Sequence, residues 1–431
     1  MPYKDGDTDK KNMKKSRKVA VNQLQVGNFI RLPVSWKDHP FLFSSFRLKQ
    51  QAQIELIKKL AIDFVFVDLE RSDIPPLSEE VAKTKVVPAQ KEDLDALTIE
   101  MQKTKNERIE KLKRMRRDLQ KTEQDFDRSI AKMRNLVSKL RNRPLNAIDD
   151  AKELINDMSA QLLNSDNLVL HLMGEAKDDE SIYYHSLNVA VLSMLMAKEL
   201  GWDKADMELV GMGALFHDTG KLKIPPQLLR KKTALTPPEA NFMKQHPVMG
   251  ADLLKLAENF PAGAMPIVLN HHEYLDGSGY PRGLKEDKLD KLCQLVAVVN
   301  LYDSLCHPDA QTKARTPYSA LGHIYKNFKT QLNQEVTGKM IKMLGIYPPG
   351  SIVELSSGQF AMVMSVNLDK ILFPRILVYD AMVPKDQAPI VDLEVEGLSI
   401  VRCIQPMALP EKIFKYLNPR ERVSYYIGSD S

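Results

Sequence analysis

Residues 214–225 read ALFHDTGKLKIP, and residues 270–284 read NHHEYLDGSGYPRGL. Each stretch sets a dyad, His217-Asp218 or His271-His272, at the end of an apolar run, Leu209–Phe216 or Met265–Asn270. Runs with helical spacing can aim the residues that follow them into one shared interior. Two more histidines stand nearby, His185 in YYHSLNVA (183–190) and His246 in KQHPVMGA (244–251). Five of the nine histidines therefore fall within 88 residues. A lone histidine in a helical domain is ordinarily a packed or surface residue; two dyads in one domain ask for another explanation. Neutral imidazoles with one carboxylate suit a borderline divalent metal such as iron, manganese, nickel or zinc. An anionic Asp218 between two cations would offset their repulsion. Lys221 lies four residues beyond His217 and would share its face if the segment stays helical.

Working outward, residues 147–345 are helical in pattern, with apolar spacing over Ala147–Met173, Ser186–Leu200, Lys204–Phe216, Pro238–Ala257 and Leu292–Leu305. The Gly-rich loop Asp276–Gly283 interrupts them. Upstream, residues 91–141 contain no Gly or Pro, and Leu112, Leu119, Phe126, Met133 and Leu140 recur every seven residues. Met115 and Leu136 supply part of a second stripe, which Thr122 and Ser129 interrupt. This is a long helix, either paired with a second copy as a homodimer stalk or lying on its own domain. Pro144 ends or kinks it. Residues 19–73 read as a small mixed unit, with strands at Phe29–Leu32 and Phe64–Val67 and helical spacing from Ser45 to Leu60. Beyond Tyr347-Pro348-Pro349-Gly350 come short strand patterns at Ile352–Leu355, Phe360–Met364 and Ile371–Val378.

The expected architecture is mainly α. A basic disordered tail (1–18) precedes a small α+β domain (19–73), a polar linker (74–90) and a long helix (91–146). A helical metal-binding bundle (147–346) and a small β-rich unit (347–431) follow. No apolar run approaches the roughly 18 residues that span a bilayer. The polar start lacks the apolar core of a secretory signal. The three cysteines cannot all pair and lack metal-type spacing, which points to a reducing cytoplasm. Cys293 and Cys306, on one apolar helix, read as buried small residues.

The net charge of +5 is unevenly spread. Residues 1–18 carry +4 and residues 103–143 carry +9, so the remainder is eight units negative. A basic patch can meet nucleic acid. Here only Tyr3 in the tail could stack on a base, and the basic helix mixes both signs. A solvated tail and helix face is the simpler account, and nucleic acid is not expected as a partner.

HD-T-G-K followed by H-H-E-x-x-D-G-x-G-Y-P-x-G-L resembles the HD-GYP family, a branch of the HD-domain metal-dependent phosphohydrolases. The resemblance covers roughly residues 175–345. Residues 19–73, with Trp36, His39 and Phe41, resemble more loosely the small domain often found ahead of bacterial HD-GYP domains. Taken without that resemblance, those three residues suggest core packing and a turn.

The resemblance implies a helical bundle around two or three metals, and hydrolysis of cyclic di-GMP to pGpG and often GMP. It implies a hydroxide held between two metals as nucleophile. His185, His217 and Asp218 would serve the first metal, and Asp218 would bridge to a second held by His246, His271 and His272. Iron or manganese is the expected pair, with nickel or zinc as alternatives. Lys221 would sit by the substrate phosphate. Gly277, Gly279, Tyr280 and Pro281 would form a loop that shapes the site, with Gly279 and Tyr280 near substrate, and offers a surface to diguanylate cyclase domains.

The sequence departs from the family pattern in three ways. Asn300 stands where the final metal-binding aspartate is usual, and an uncharged amide oxygen should hold the first metal more weakly. Asp303 is near but matches another position. Ser181 replaces the glutamate of trimetal members, although Glu180 is adjacent, so two metals are expected. In CHPDAQTKARTPYSA, Arg315 is the surviving phosphate-binding candidate, Ser319 replaces a base, and Gln294 stands where an Arg is usual. Two function classes follow: a cyclic dinucleotide phosphodiesterase, or a weakened receptor or scaffold that binds metal or ligand and signals through partners. A phosphohydrolase of monomeric nucleotides is disfavoured by the GYP loop.

Overall fold

The computed structural model describes residues 16–34, 38–41, 44–84, 91–142, 144–164, 168–172, 181–308, 314–367, 372–381, 383, 388, 390–396, 398–417 and 425–429. Trp36, Glu180 and residues 309–313 lie outside these. In chain order the first elements are β1 (Ser16–Ala20), β2 (Phe29–Arg31), β3 (Ser45–Arg47), α1 (Gln51–Lys59), β4 (Phe64–Asp68), α2 (Glu79–Thr84), α3 (Lys91–Asn142), α4 (Pro144–Asn164) and β5 (Leu168–Leu172). Then come α5 (Ser181–Glu199), α6 (Lys204–Phe216), α7 (Pro226–Leu229), α8 (Pro237–Met243), α9 (His246–Leu254), α10 (Met265–Asn270), α11 (Lys291–Cys306), α12 (Pro317–Asn327) and α13 (Gln334–Leu344). The last elements are β6 (Ile352–Leu355), β7 (Phe360–Asn367), β8 (Arg375–Val378), β9 (Ile390–Asp392), α14 (Leu393–Glu396), β10 (Ile400–Ile404), α15 (Glu411–Leu417) and β11 (Tyr425–Ser429).

Two compact units result. One runs to Met115 and adds Ile352–Ala361 and Leu377–Asn418. Its antiparallel sheet has the order β1-β4-β2-β3. Ile30, Leu32, Val65 and Val67 of this sheet region pack with Leu48, Ile54 and Ile57, all at most 1% exposed. The helical spacing from Ser45 to Leu60 is only partly realised. Ser45–Arg47 pairs with β2 as a strand, and the helix begins at Gln51. There the Gln53 side chain accepts the Lys49 and Gln50 N–H groups and caps the helix start. His39 is buried beside Ser44 and Phe41, a packing role.

The other unit comprises Arg116–Ser351, Met362–Ile376 and the chain from Pro419 onward. It holds the helical bundle, whose core is built on α5, α6 and α11. The long helix from Lys91 forms as expected. Phe126, Met133, Leu136 and Leu140 are at most 2% exposed within this chain. Thr122 and Ser129 are buried in the same stripe, because each hydroxyl bonds the carbonyl four residues back, at 2.9 Å. Those polar residues therefore continue the packed face. Lys139 pairs with Asp150 across the turn into α4.

Three other readings change. Helical spacing over Ala147–Met173 stops at Asn164, and Leu168–Leu172 becomes β5, antiparallel to both β11 and β7. Four of these five residues are apolar, and so short an apolar run suits a buried strand as well as a helix. Pro238–Ala257 divides into α8 and α9 at the chain bend before His246. The strand expected over Ile371–Val378 is observed at Arg375–Val378.

α6 starts at Asp203, whose carboxylate accepts the Asp206 N–H at 2.8 Å. It ends at Phe216, and the chain tightens into a 3-10 turn over Thr219–Lys223. A methyl on Gly220 would lie 1.8 Å from the His246 carbonyl oxygen and 2.6 Å from the Gly250 nitrogen. Glycine alone lets this turn rest backbone to backbone on α9.

Candidate metal centre

His217 and His271 immediately follow α6 and α10, and His246 opens α9 just beyond α8. The final carbonyls of a helix have no intrahelical partner. Each imidazole uses one: Nδ1 of His217 bonds Ala214 O at 2.6 Å, His246 bonds Met243 O at 2.8 Å, and His271 bonds Val268 O at 3.0 Å. A carbonyl accepts only, so Nδ1 must carry the proton and Nε2 is left with a lone pair. His185, on α5, sets Nδ1 against Asp303 Oδ2 at 2.5 Å instead.

The Nε2 atoms then meet in pairs. His185 and His217 are 3.0 Å apart there, and His246 and His271 are 3.1 Å apart. Asp218 lies between the pairs. Its Oδ2 is 3.4 Å from His185 Nε2 and 3.5 Å from His217 Nε2. Its Oδ1 is 3.2 Å from His246 Nε2 and 3.9 Å from His271 Nε2. Oδ1 is buried without a hydrogen-bond partner. Neutral imidazoles facing each other through lone pairs, beside a buried unsatisfied carboxylate oxygen, fit a cation in each group. The groups are His185, His217 and Asp218, and Asp218, His246, His271 and His272.

Electrostatics favour the ligating forms of His217, His271, His272 and Asp218. Burial pushes His217 down to about 4. Burial, then neighbouring imidazoles, hold His271 and His272 well below the usual histidine range. Burial opposes charge on Asp218, yet Lys221, His217 and His246 together hold its carboxyl well below the usual range. Lys221 Nζ donates to Asp218 Oδ2 at 2.7 Å. Burial likewise disfavours the His185 imidazolium, but Asp303 and Asp218 outweigh it and raise its pKa.

Residues 145–336 match the family model described as the HD domain, and residues 16–151 match a domain of unknown function, DUF3391. The helical bundle is therefore similar to the HD domain over residues 145–336. The chain is 29% identical to a cyclic di-GMP phosphodiesterase of Pseudomonas aeruginosa, over 88% of this chain and 89% of that one. It is 38% identical to a cyclic di-GMP phosphodiesterase response regulator of Xanthomonas campestris over 30% of this chain, spanning 35% of that protein. A solved HDG"Y"P protein from Bdellovibrio bacteriovorus aligns over 76% of this chain and 99% of its own, with 17% identity and a TM-score of 0.39.

The HD domain brings together His185, His217, Asp218, Lys221, His246, His271 and His272. Tyr280 stacks on His272 with ring centroids 4.4 Å apart. Gly279 permits that approach, since a methyl there would lie 2.4 Å from the Tyr274 nitrogen. Gly277 takes a left-handed φ of 82°, and Glu273 clamps the loop by accepting the Arg282 and Leu284 N–H groups. Lys221 shares the site through a different geometry than a continued helix. In the 3-10 turn it meets Asp218, three residues back.

Asn300 is buried on α11, on the face shared by Asp303 one turn later. Arg315 is exposed, and no contact among the described residues ties it to the cluster. Gln294 is occupied with Leu289 O and Asn333, a structural role. Ser319 sits in the capped first turn of α12. The buried thiol of Cys293 is pushed up to about 12, and burial raises that of Cys306 too, which suits inert packing. The sequence undervalued Asp303 and missed Asn188. Asp303 was findable as a helical neighbour of Asn300, whereas Asn188 carried no local signal.

Proposed function

We propose that this chain hydrolyses cyclic di-GMP to pGpG, GMP or both at a two-metal HD site. The observation that carries the reading is the pair of facing Nε2 sets on either side of Asp218, with Lys221 beside it. The named activities of the relatives support the substrate class. Two divalent cations held by these residues would supply Lewis acidity to phosphoryl oxygens and lower the pKa of an attacking water. Iron or manganese suits this nitrogen-rich, carboxylate-bridged donor set.

The chain's own residues set the stage. His217, His271 and His272 stay neutral, so no proton competes for their lone pairs. Asp218 stays anionic and serves both groups. Lys221, at the bridging carboxylate, offers a cation to the non-bridging phosphate oxygens, where charge grows in the transition state. Tyr280 covers the His272 ring and shapes the entry for a planar base.

The test is direct. Protein loaded anaerobically with iron or manganese is incubated with cyclic di-GMP, and pGpG and GMP are separated. Product formation that stops on chelation is expected; binding without turnover would overturn the enzyme reading. It would favour the second reading, a receptor that signals through partners, which Asn300 and Ser319 support. A diguanylate cyclase at the GYP loop, and a second copy along residues 91–141, are the partners proposed for either case.

A further inference from the structure

Asp303 is a fully buried carboxylate that would be costly to leave unpaired. Three donors surround it: His185 Nδ1 at 2.5 Å, His307 Nδ1 at 3.1 Å, and the Asn188 side-chain amide. The Asn188 amide is itself oriented, because its Oδ1 accepts the Tyr425 backbone N–H at 2.7 Å. Tyr425 opens β11, 237 positions away from Asn188. That strand is pinned from several sides. Tyr425 and Tyr302 hydroxyls bond at 2.7 Å, Tyr426 bonds Ser129 at 2.9 Å, and Ile427 O accepts from Gln161 at 3.0 Å.

We infer that Asn188, Asp303 and the Tyr425 backbone form a positioning chain that fixes His185, so the C-terminal strand is a working part of the metal centre. The logic is that of a carboxylate oriented by an amide and orienting an imidazole. Asp303 accepts the Nδ1 proton, which leaves Nε2 aimed at His217 and Asp218. His217, His246 and His271 take this service from the carbonyl three residues back in the chain. His185 sits early in α5, far from any such carbonyl, and needs a partner brought by tertiary structure. Asn188 keeps Asp303 from rotating away, and β11 keeps Asn188 from flipping its amide. This inference rests on the metal-centre reading.

The experiment uses the full chain, stripped of metal and titrated with manganese under paramagnetic resonance, with ion content counted after gel filtration. Wild type should hold two ions. Asp303→Asn and Asn188→Ala should keep the ion of the His246–His271–His272 group and weaken the other by about 10- to 100-fold. Tyr425→Phe keeps the backbone donor and should leave both ions unchanged, despite losing the hydroxyl contact to Tyr302. Should Asp303→Asn fail to fold, Asn188→Ala, which removes no charge, carries the test alone. Two ions bound with wild-type affinity in Asn188→Ala would overturn the inference and leave the metal centre standing. Fewer than two ions in wild type would overturn the metal-centre reading itself.

Discussion

The two halves of the histidine cluster are built by different means. His246 and His271 are held by carbonyls three residues back in the chain, so each short helix-and-histidine segment carries its own orientation. His185 depends on a carboxylate 118 positions away, and through it on the last strand. Each half holds one partly exposed histidine, His185 in the first and His272 in the second, beside buried partners. Within the group that Asp218 shares with His217, only His185 is held from a distance, and it should be the first ligand to fail.

The strongest challenge to this contrast is Asp218→Ala. It removes the shared carboxylate, so both ions should be lost and turnover should fall by more than about 10³-fold; retained metal content with normal turnover would dismantle the site. Lys221→Met should come next. Turnover should drop by about 10²- to 10³-fold with both ions still bound, because this side chain, paired with Asp218, offers charge to substrate. An equal loss of metal would reassign Lys221 to holding the carboxylate. Asn300→Asp sharpens the comparison from the other side. A new charge beside the first group should tighten that ion by about tenfold and leave the other unchanged, as read by manganese titration. Unchanged affinity would place Asn300 outside the coordination shell.

The smallest expected effect is on the metal-free protein in acid. His217, His271 and His272 have folded pKa values below their unfolded ones. The unfolded chain then binds more protons below about pH 6.5, so stability is present above that pH and is lost as pH falls. His185 has the opposite sign: its raised pKa adds stability below about pH 6.5 that is lost as pH rises. Three groups against one predict a net fall in melting temperature between pH 7 and pH 5. A flat or rising profile would show that the metal-free cluster does not keep its imidazoles neutral.

The sequence made the local half of this site readable. Apolar runs ending in histidine dyads marked α6 and α10, and the loop after His272 announced itself in its glycines. The long helix was equally plain. What escaped was whatever depended on distant partners. Leu168–Leu172 has enough apolar character for a helix and becomes a strand because β11 and β7 are there to pair with it. Thr122 and Ser129 look like interruptions until their hydroxyls are seen to bond back along the helix. Asn188 looks like one polar residue in an apolar helix, and its meaning arrives only with Tyr425. Arg315 is exposed, with its N–H bonded to Leu305 O at the end of α11, a placement its local sequence did not announce.

At Gly220 the turn that carries Asp218 touches the first turn of α9 with nothing between two main chains. Side-chain contacts can be retuned by exchanging one hydrophobe for another, and a spacing built on them can drift. This one cannot, since no residue is smaller than the one already present. The gap between the two groups of ligands is thus set by an absent atom, a fixed gauge against which everything else in the site is fitted. Adding a single methyl would leave every ligand in the sequence untouched and still drive the halves apart.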